Sequence, residues 1–382
     1  MPTSTGSASK LFYLKESTLG TFPSGNFSQL AFSSESISAN IGVIKSQQMS
    51  ADRSAPSARG GNIQVGGSIT TDFGLSRFGI FLAHLLGATP TTSTITPTAG
   101  ADSTAYVRGE IVSVGSNDYI CVTGGTSSSD IEADVTGTEY NVRLTSGTAQ
   151  FVYMGATSTA KKSHVFVGDS ALLAHGLSIE RAFLGGTSDV YLRCSGGRIN
   201  SLAITIPQEG IIQSVWDMLF LGQLVNAGSS GAGTPVASDE PGPIGYNTFI
   251  EIEGTESGII QDGNFTISNE LDGDSFVVGN RYRRSISAQR RNITGSFNML
   301  FEDDTHLEQF LNESELTLTV WMQEGGAIAK FDFPRVRLSG DGAPKIAGAG
   351  RITQSFNFDA MGASGSYDVQ VTLKNTTASY TP

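Results

Sequence analysis

Along most of the chain apolar residues alternate with Ser, Thr, Asn and Gln in short runs, and Gly or Asn interrupts them about every ten residues, the pattern of strands joined by turns. Three such runs recur in the same order. ESISANI, Glu35 to Ile41, aligns with FTISNEL, Phe265 to Leu271, so that Ile37, Ser38 and Ile41 fall on Ile267, Ser268 and Leu271. NIQVGGSITTDF, Asn62 to Phe73, aligns with NITGSFNMLF, Asn292 to Phe301, placing Gly67-Ser68 on Gly295-Ser296. Ile69, Thr71 and Phe73 then share a strand face, as do their counterparts Phe297, Met299 and Phe301. GRINSLAI, Gly197 to Ile204, aligns with GRITQSFNF, Gly350 to Phe358. After the second run the period changes to that of a short helix in both copies. Leu75, Phe78, Phe81, Leu82 and Leu85 keep helical spacing up to Gly87, a natural stop; Asp304 or Thr305 caps a helix presenting Leu307, Phe310 and Leu311.

This internal repeat predicts a mainly β protein in which one arrangement of strands and a helix occurs twice. The first unit spans residues 31–94 and 161–225, interrupted at 95–160 by a small inserted β domain with its own strand pattern. Residues 226–245, NAGSSGAGTPVASDEPGPIG, have linker composition, and 246–382 form the second unit. Residues 1–30, with Leu11, Phe12, Tyr13 and Phe22 among polar residues, read as an N-terminal arm that either docks on a neighbour or frays. Each unit carries a long, charged, poorly periodic loop between its first two runs, Gly42 to Gly61 and Asp272 to Arg291. Loops of that length at equivalent places are assembly elements or, failing that, ordinary solvated loops.

Composition narrows the function. The chain has 382 residues, enough for two or three domains; charged residues are 16%, hydrophobic ones 38%, and Gly, at 46, outnumbers Pro, at 12. A net charge of −12 opposes tight binding of a phosphate backbone, but it suits a surface past which DNA slides without adsorbing. Cys121 and Cys194 fall in different units without framework spacing, so free thiols are expected. The start, MPTSTGSASK, lacks a basic segment and an apolar core, and no run reaches the roughly 20 apolar residues of a membrane helix, so assembly in a cytoplasm is expected.

Motifs for chemistry are missing. His84, His164, His175 and His306 stand outside any metal-ligand spacing, and Asp272 and Asp274 lack the rest of an EF-hand loop. There is no GxxxxGK[ST] and no GxSxG. Glu302-Asp303-Asp304 sits where strand becomes helix and reads as a cap. The expectation is a non-enzyme with no catalytic, cofactor or metal site. The one basic cluster, Arg281, Arg283, Arg284, Arg290 and Arg291 with Tyr282, reads as a complement to an acidic patch on another copy rather than a nucleic-acid contact. The candidate contact residues between subunits or rings are therefore Gln47, Met49, Arg53 and Arg59 on the first loop and Arg281, Arg283, Arg284 and Arg290 on the second.

The same residues resemble the major tail tube proteins of long-tailed, siphovirus-like bacteriophages. ISANIGVIKSQQMSADRSAPSARGGNIQVGGSITTDFGLSRFGIFLAHLLG resembles that family's strand, long loop, Gly-centred strand and helix ending in Leu-Leu-Gly; GGRINSLAITIPQEGIIQSVWDMLFLG, FTISNEL and ITGSFNMLFED are similar to its later strands. The resemblance implies two β-sandwich or barrel units, each with a flanking helix, in a virion protein that assembles into stacked rings and conducts DNA during ejection. Where single-unit members form six-membered rings, a double unit implies trimeric rings. Its implied partners are copies of itself, the terminator, tape measure and distal tail proteins, and DNA in passage. Within the insert, YVRGEIVSVGSNDYICVTGGTSS, Tyr106 to Ser128, and SGTAQFVYMG, Ser146 to Gly155, are similar to small carbohydrate-binding-type modules, although the chain's tryptophans are Trp216 and Trp321, outside the insert. That second likeness implies glycans as further partners and supplies the alternative reading, a carbohydrate-binding phage surface or receptor-binding protein.

Overall fold

The computed structural model describes residues 3–48, 57–169, 171–222, 224–237, 240–346, 349–362 and 367–382. The chain is mainly β, and among the described residues nineteen strands hydrogen-bond into one system. The elements used below are β1 (Lys10–Lys15), β2 (Ser28–Leu30), β3 (Ser38–Lys45), β4 (Ala58–Asp72), α1 (Gly79–Leu86), β5 (Lys162–Val167), β6 (Leu177–Phe183), β7 (Val190–Ile206), β8 (Gln213–Phe220) and β9 (Val225–Ala227). They continue with β10 (Thr248–Ile252), β11 (Thr255–Glu256), β12 (Ile260–Ser268), β13 (Asn292–Leu300), α2 (Thr305–Leu311), β14 (Glu315–Glu324), β15 (Ala327–Ser339), β16 (Thr353–Ala360) and β17 (Gln370–Asn375).

Two antiparallel ladders have the same order. The first runs β2-β1-β6-β7-β8-β4-β3, with β9 on the N-terminal half of β7. The second runs β11-β10-β14-β15-β16-β13-β12, with β17 on the N-terminal half of β15. In both, one long strand passes from one part of the ladder to the other, and the helix follows the strand that pairs with β8 or β16. The ladders are joined edge to edge where the C-terminal half of β7 takes β12: Ser201 faces Ser268, Leu202 faces Ile267 and Ile204 faces Phe265.

This topology corrects two of the alignments. Gly350–Phe358 enters β16, whose place beside β13 is that of β8 beside β4, whereas Gly197–Ile204 lies on β7, the counterpart of β15. Ser38 faces Gly66 and Thr266 faces Thr294, so with Gly67 on Gly295 the counterpart of Ser38 is Thr266, not Ser268. Alternation survives a shift of two residues unchanged, which is why the pattern hid the slip.

Strict alternation puts one face of each strand inside. On β8, Ser214, Trp216, Met218 and Phe220 are buried, and on β16, Gln354, Phe356 and Phe358 are. Burying each such large apolar side chain contributes about 1.5–3 kcal/mol. The core is continuous across both ladders: Phe331 lies 5.8 Å from Phe73 and 5.1 Å from Phe265 between ring centroids.

The N-terminal segment is a correction as well. Instead of reaching a neighbour, residues 10–15 pair with β6 in the chain's own sheet, and Leu11, Phe12, Tyr13, Phe27 and Leu30 are buried. In the connecting segment Ala232 is fully buried and Val236 is bridged to Ser28 of the first ladder.

The two helices differ in environment. Seven of the eight residues of α1 are buried, and the helix ends at Gly87, φ 71°, where a Cβ would sit 1.9 Å from Ala171 O. Phe78, just before α1, stacks on Trp216 at 5.1 Å. The second ladder seals this helix: Asn269 Nδ2 donates to Leu85 O at 2.7 Å, Arg291 Nη2 donates to Leu86 O at 3.3 Å, and the Tyr380 ring lies where a Cβ on Gly79 would be. In α2 no residue is buried, and Leu311 is 67% exposed. Its first N–H, on Thr305, donates to Asp303 Oδ1 at 2.9 Å, so the acidic run Glu302-Asp303-Asp304 caps the helix as expected, through Asp303 rather than through the side chain of Asp304 or Thr305.

Five strands between Thr98 and Ala156 form a separate sheet around Tyr106, Val112, Tyr119, Cys121 and Phe151. A second apolar cluster fastens that sheet to the second ladder through Ile111, Ile120, Val152 and Met154 against Phe249, Trp321 and Ile328. The Arg108 guanidinium lies 4.2 Å over the Phe249 ring and 3.3 Å from Glu251, and Lys374 Nζ donates to Gly109 O at 2.6 Å. A Cβ on Gly109, φ 83°, would meet the Trp321 ring at 2.5 Å, so only glycine admits this approach.

Candidate functional site

Joining the ladders at β7 and β12 makes one eight-stranded run, β3-β4-β8-β7-β12-β13-β16-β15. Its apolar face holds the core. Residues of opposite parity form the other face, and register aligns them strand by strand: Asn40 with Gln64, Ser68 with Asp217, Asp217 with Ser201, Ser201 with Ser268, Asn264 with Ser296, Ser296 with Asn357, and Asn357 with Ser339. Across these positions the face carries hydroxyls and amides, with the carboxylates of Asp217, Asp262 and Asp359 among them. Asn200 Nδ2 donates to Asp217 Oδ2 at 3.0 Å, Asn298 Nδ2 to Asp262 Oδ1 at 2.6 Å, and Ser339 Oγ to Asp359 Oδ2 at 3.0 Å, so each carboxylate is oriented by a neutral partner. Arg337, at the margin, is drawn aside by Glu315 at 3.6 Å. Short hydroxylated, amide and acidic side chains predominate on this face, with Ala203, Val215 and Leu219 between them.

The two long loops lie beside this wall and meet within one chain. The first is in part strand: β3 runs to Lys45, which faces Ala58 on β4, while Ile41, Val43 and Ile44 are 51%, 67% and 61% exposed. The second has no long strand. It folds back on β4, with Ile63 N donating to Arg281 O at 2.8 Å and Gln64 Nε2 to Asp274 Oδ1 at 3.2 Å.

The basic residues divide accordingly. Arg281 Nε donates to Gly61 O at 2.9 Å. Arg283 is 8% exposed, its Nη1 donating to Val65 O at 2.7 Å and its Nε to Gly273 O at 2.5 Å; burial lowers its pKa from the usual arginine value, with Asp274 opposing. Both therefore fasten the second loop to the first inside the chain. Gln47, Arg59, Arg284 and Arg290 are exposed. Met49 and Arg53 lie outside the described residues. Arg290 lines a cavity of about 340 Å³ with Asp169 and Asp368. Sequence reasoning did not separate Arg291, which pairs with Asp368 at 2.9 Å and donates to Asp169 O at 2.7 Å, joining the second loop to the C-terminus of α1. The available signal was a helix ending in Leu-Leu-Gly, whose free carbonyls favour a cation, in a chain with one basic loop.

His84 and both cysteines are buried. His84 is 3% exposed, neither ring nitrogen has a hydrogen-bond partner, and burial pushes its pKa down to about 3, so it is neutral. Burial pushes both cysteine thiols up to about 12, so neither is a nucleophile. Among the described residues no group of three His, Cys, Asp or Glu is placed to hold a metal ion. Trp216 and Trp321 are both buried, the latter under the inserted sheet, and offer no exposed indole to a sugar ring.

Comparison with known proteins agrees with this geometry. The chain matches the family model described as phage tail tube protein over residues 6–360. No curated protein matches it. The match spans nearly the whole chain, so the protein belongs to the phage tail tube family and is a structural component of the virion tail.

Proposed function

We propose that this chain assembles with copies of itself into rings that stack into the tail tube, with the polar face of the eight-stranded run turned to the lumen through which DNA passes. The observation that carries the reading is that face. It is continuous, anionic at Asp217, Asp262 and Asp359, and backed by the core, so charge and hydroxyls rather than an apolar surface meet the polymer. Each chain contributes two tube units, an assignment supported by the shared order of the two ladders, and three copies close a ring with sixfold pseudosymmetry.

The hairpin of β3 and β4 and the loop between β12 and β13, fastened together by Arg281 and Arg283, stand as the contacts between stacked rings and toward the other tail proteins. The inserted sheet, held rigidly against Phe249 and Trp321, decorates the tube. Chains are made and assembled in the host cytoplasm, where the free, buried Cys121 and Cys194 stay reduced.

Negative-stain electron microscopy of the purified protein across concentration tests the reading. Rings or hollow tubes with threefold averages are expected. Monomers at every concentration, with and without the tail's initiating proteins, would overturn it.

A further inference from the structure

Between the inserted sheet and the second ladder lies a cavity of about 240 Å³, bounded by Tyr140 and Met154 of the insert, Glu324 to Ala327 at the turn between β14 and β15, Glu240, and Asn375 at the end of β17. No lining residue belongs to the polar face described above. The seam is fixed locally. Asn141, φ 66°, hooks the insert onto that turn: its Oδ1 accepts from Gly325 N at 2.8 Å and from Gln323 Nε2 at 3.1 Å, and its Nδ2 donates to Glu324 Oε1 at 2.6 Å. A Cβ on Gly326 would sit 2.7 Å from Met154 O, so glycine is what lets the turn come this close.

The lining combines one open aromatic ring with two carboxylates. Tyr140 rests against Tyr153, ring centroids 5.1 Å apart, yet the residue is 52% exposed. Glu240 is held from behind: Ser76 N donates to its Oε1 at 2.9 Å and Arg77 N to its Oε2 at 3.2 Å. Glu324 is held by Asn141. Both carboxylates retain lone pairs, since each can accept about four hydrogen bonds. Burial raises the pKa of Glu324 above the usual carboxylate value, and Glu240 adds to the rise, so a further donor at this carboxylate is favourable.

We infer that this seam binds one neutral pyranose unit of a glycan, its C–H face stacked on Tyr140 and its hydroxyls donating to Glu240 and Glu324. The volume is below the roughly 300–1,000 Å³ of sites for drug-sized ligands and suits a single ring. No lining residue is basic, so the two carboxylates repel phosphates and acidic sugars. A basic side chain of a partner protein would be drawn to the same carboxylates, but an ammonium is a compact point charge. Glu240 and Glu324 stand on different elements, and a pyranose donates in several directions from one flat frame. The absence of an exposed indole is no obstacle, because the phenol ring of Tyr140 supplies the stacking face. The site lies within one chain and does not depend on self-assembly.

The probes are the methyl glycosides of glucose, galactose, mannose and N-acetylglucosamine, titrated into the full chain and followed by saturation-transfer NMR. At least one should receive saturation at its ring C–H protons. Tyr140→Ala should abolish that transfer and leave the thermal midpoint unchanged, since the ring is half exposed. Glu324→Gln, which leaves the ring in place, should weaken binding roughly tenfold, the size of a lost charge-assisted hydrogen bond. Transfer to none of the four glycosides would overturn the inference, as would transfer that survives Tyr140→Ala or binding that Glu324→Gln does not weaken. Binding of Nα-acetyl-lysine methylamide in place of every glycoside would also overturn it and assign the seam to a basic side chain of a partner. Monomers that bind a glycoside would leave the inference standing and overturn only the tube reading.

Discussion

Lys161 Nζ lies 2.5 Å from Asp118 Oδ2, and both side chains are only 1% exposed. Asp118 belongs to the inserted sheet, and Lys161 immediately precedes β5, the strand by which the chain leaves it. The pair is fully engaged: Asp118 Oδ1 accepts from Ser113 at 2.7 Å and Thr157 at 3.0 Å, and Lys161 donates to Ala156 O at 2.5 Å. A sealed ion pair holds the insert's stem in one orientation.

Removing one partner leaves a buried, unpaired charge, which costs about 3–5 kcal/mol, whereas removing both is far milder. Lys161→Met should therefore lower the denaturant midpoint strongly, and Lys161→Met with Asp118→Leu should recover most of the loss. A single variant as stable as the double would contradict the assignment.

The neutrality of His84 predicts acid sensitivity. Its pKa in the fold is about 3, against an unperturbed 6.5, so below pH 6.5 the unfolded chain takes up a proton that the folded chain refuses. Stability is then full above pH 6.5 and lost as pH falls toward 3, by at most about 1.4 kcal/mol per unit. Unfolding measured at pH 7 and pH 4.5 should show a smaller difference for His84→Leu than for the unaltered chain; equal differences would refute the role.

Because Lys45 faces Ala58, the hairpin can be shortened without disturbing β3 or β4. Replacing residues 46–57 with a two-residue Asn-Gly turn should leave unfolding unchanged and permit rings, but abolish their stacking. Tubes of normal length from this variant would exclude the hairpin tip from the contact between rings.

Reversing the charge of the wall probes the lumen assignment. Asp217→Lys, Asp262→Lys and Asp359→Lys together should leave tubes assembled but make them retain DNA at low salt, with binding that weakens steeply as salt rises. Tubes that assemble and still release DNA at low salt would place this face elsewhere.

Much of this was legible in the sequence because side-chain parity is a local property. Alternation at Gln213–Phe220 and Thr353–Ala360 identifies strands with one buried face, and the helices after β4 and β13 are where the change of period puts them. The free cysteines and the mainly β class follow from the same reading. The roles of Arg281 and Arg283 do not, since each guanidinium donates to a backbone carbonyl more than two hundred positions away, and no spacing rule reaches that far.

Composition and alternation by themselves thus determined a strand-rich, acidic protein, which faces of its strands are apolar, and that two long loops follow equivalent strands. Tertiary structure alone decided which strands are neighbours: β16 answers to β8 rather than β7, residues 10–15 are a strand of the chain's own sheet rather than an arm, and Ser201 meets Ser268 to make one wall from two ladders. The physical reason is that a period of two reports which way a side chain points, and is blind to the strand lying beside it, which is chosen by hydrogen bonds and packing between residues remote in the chain.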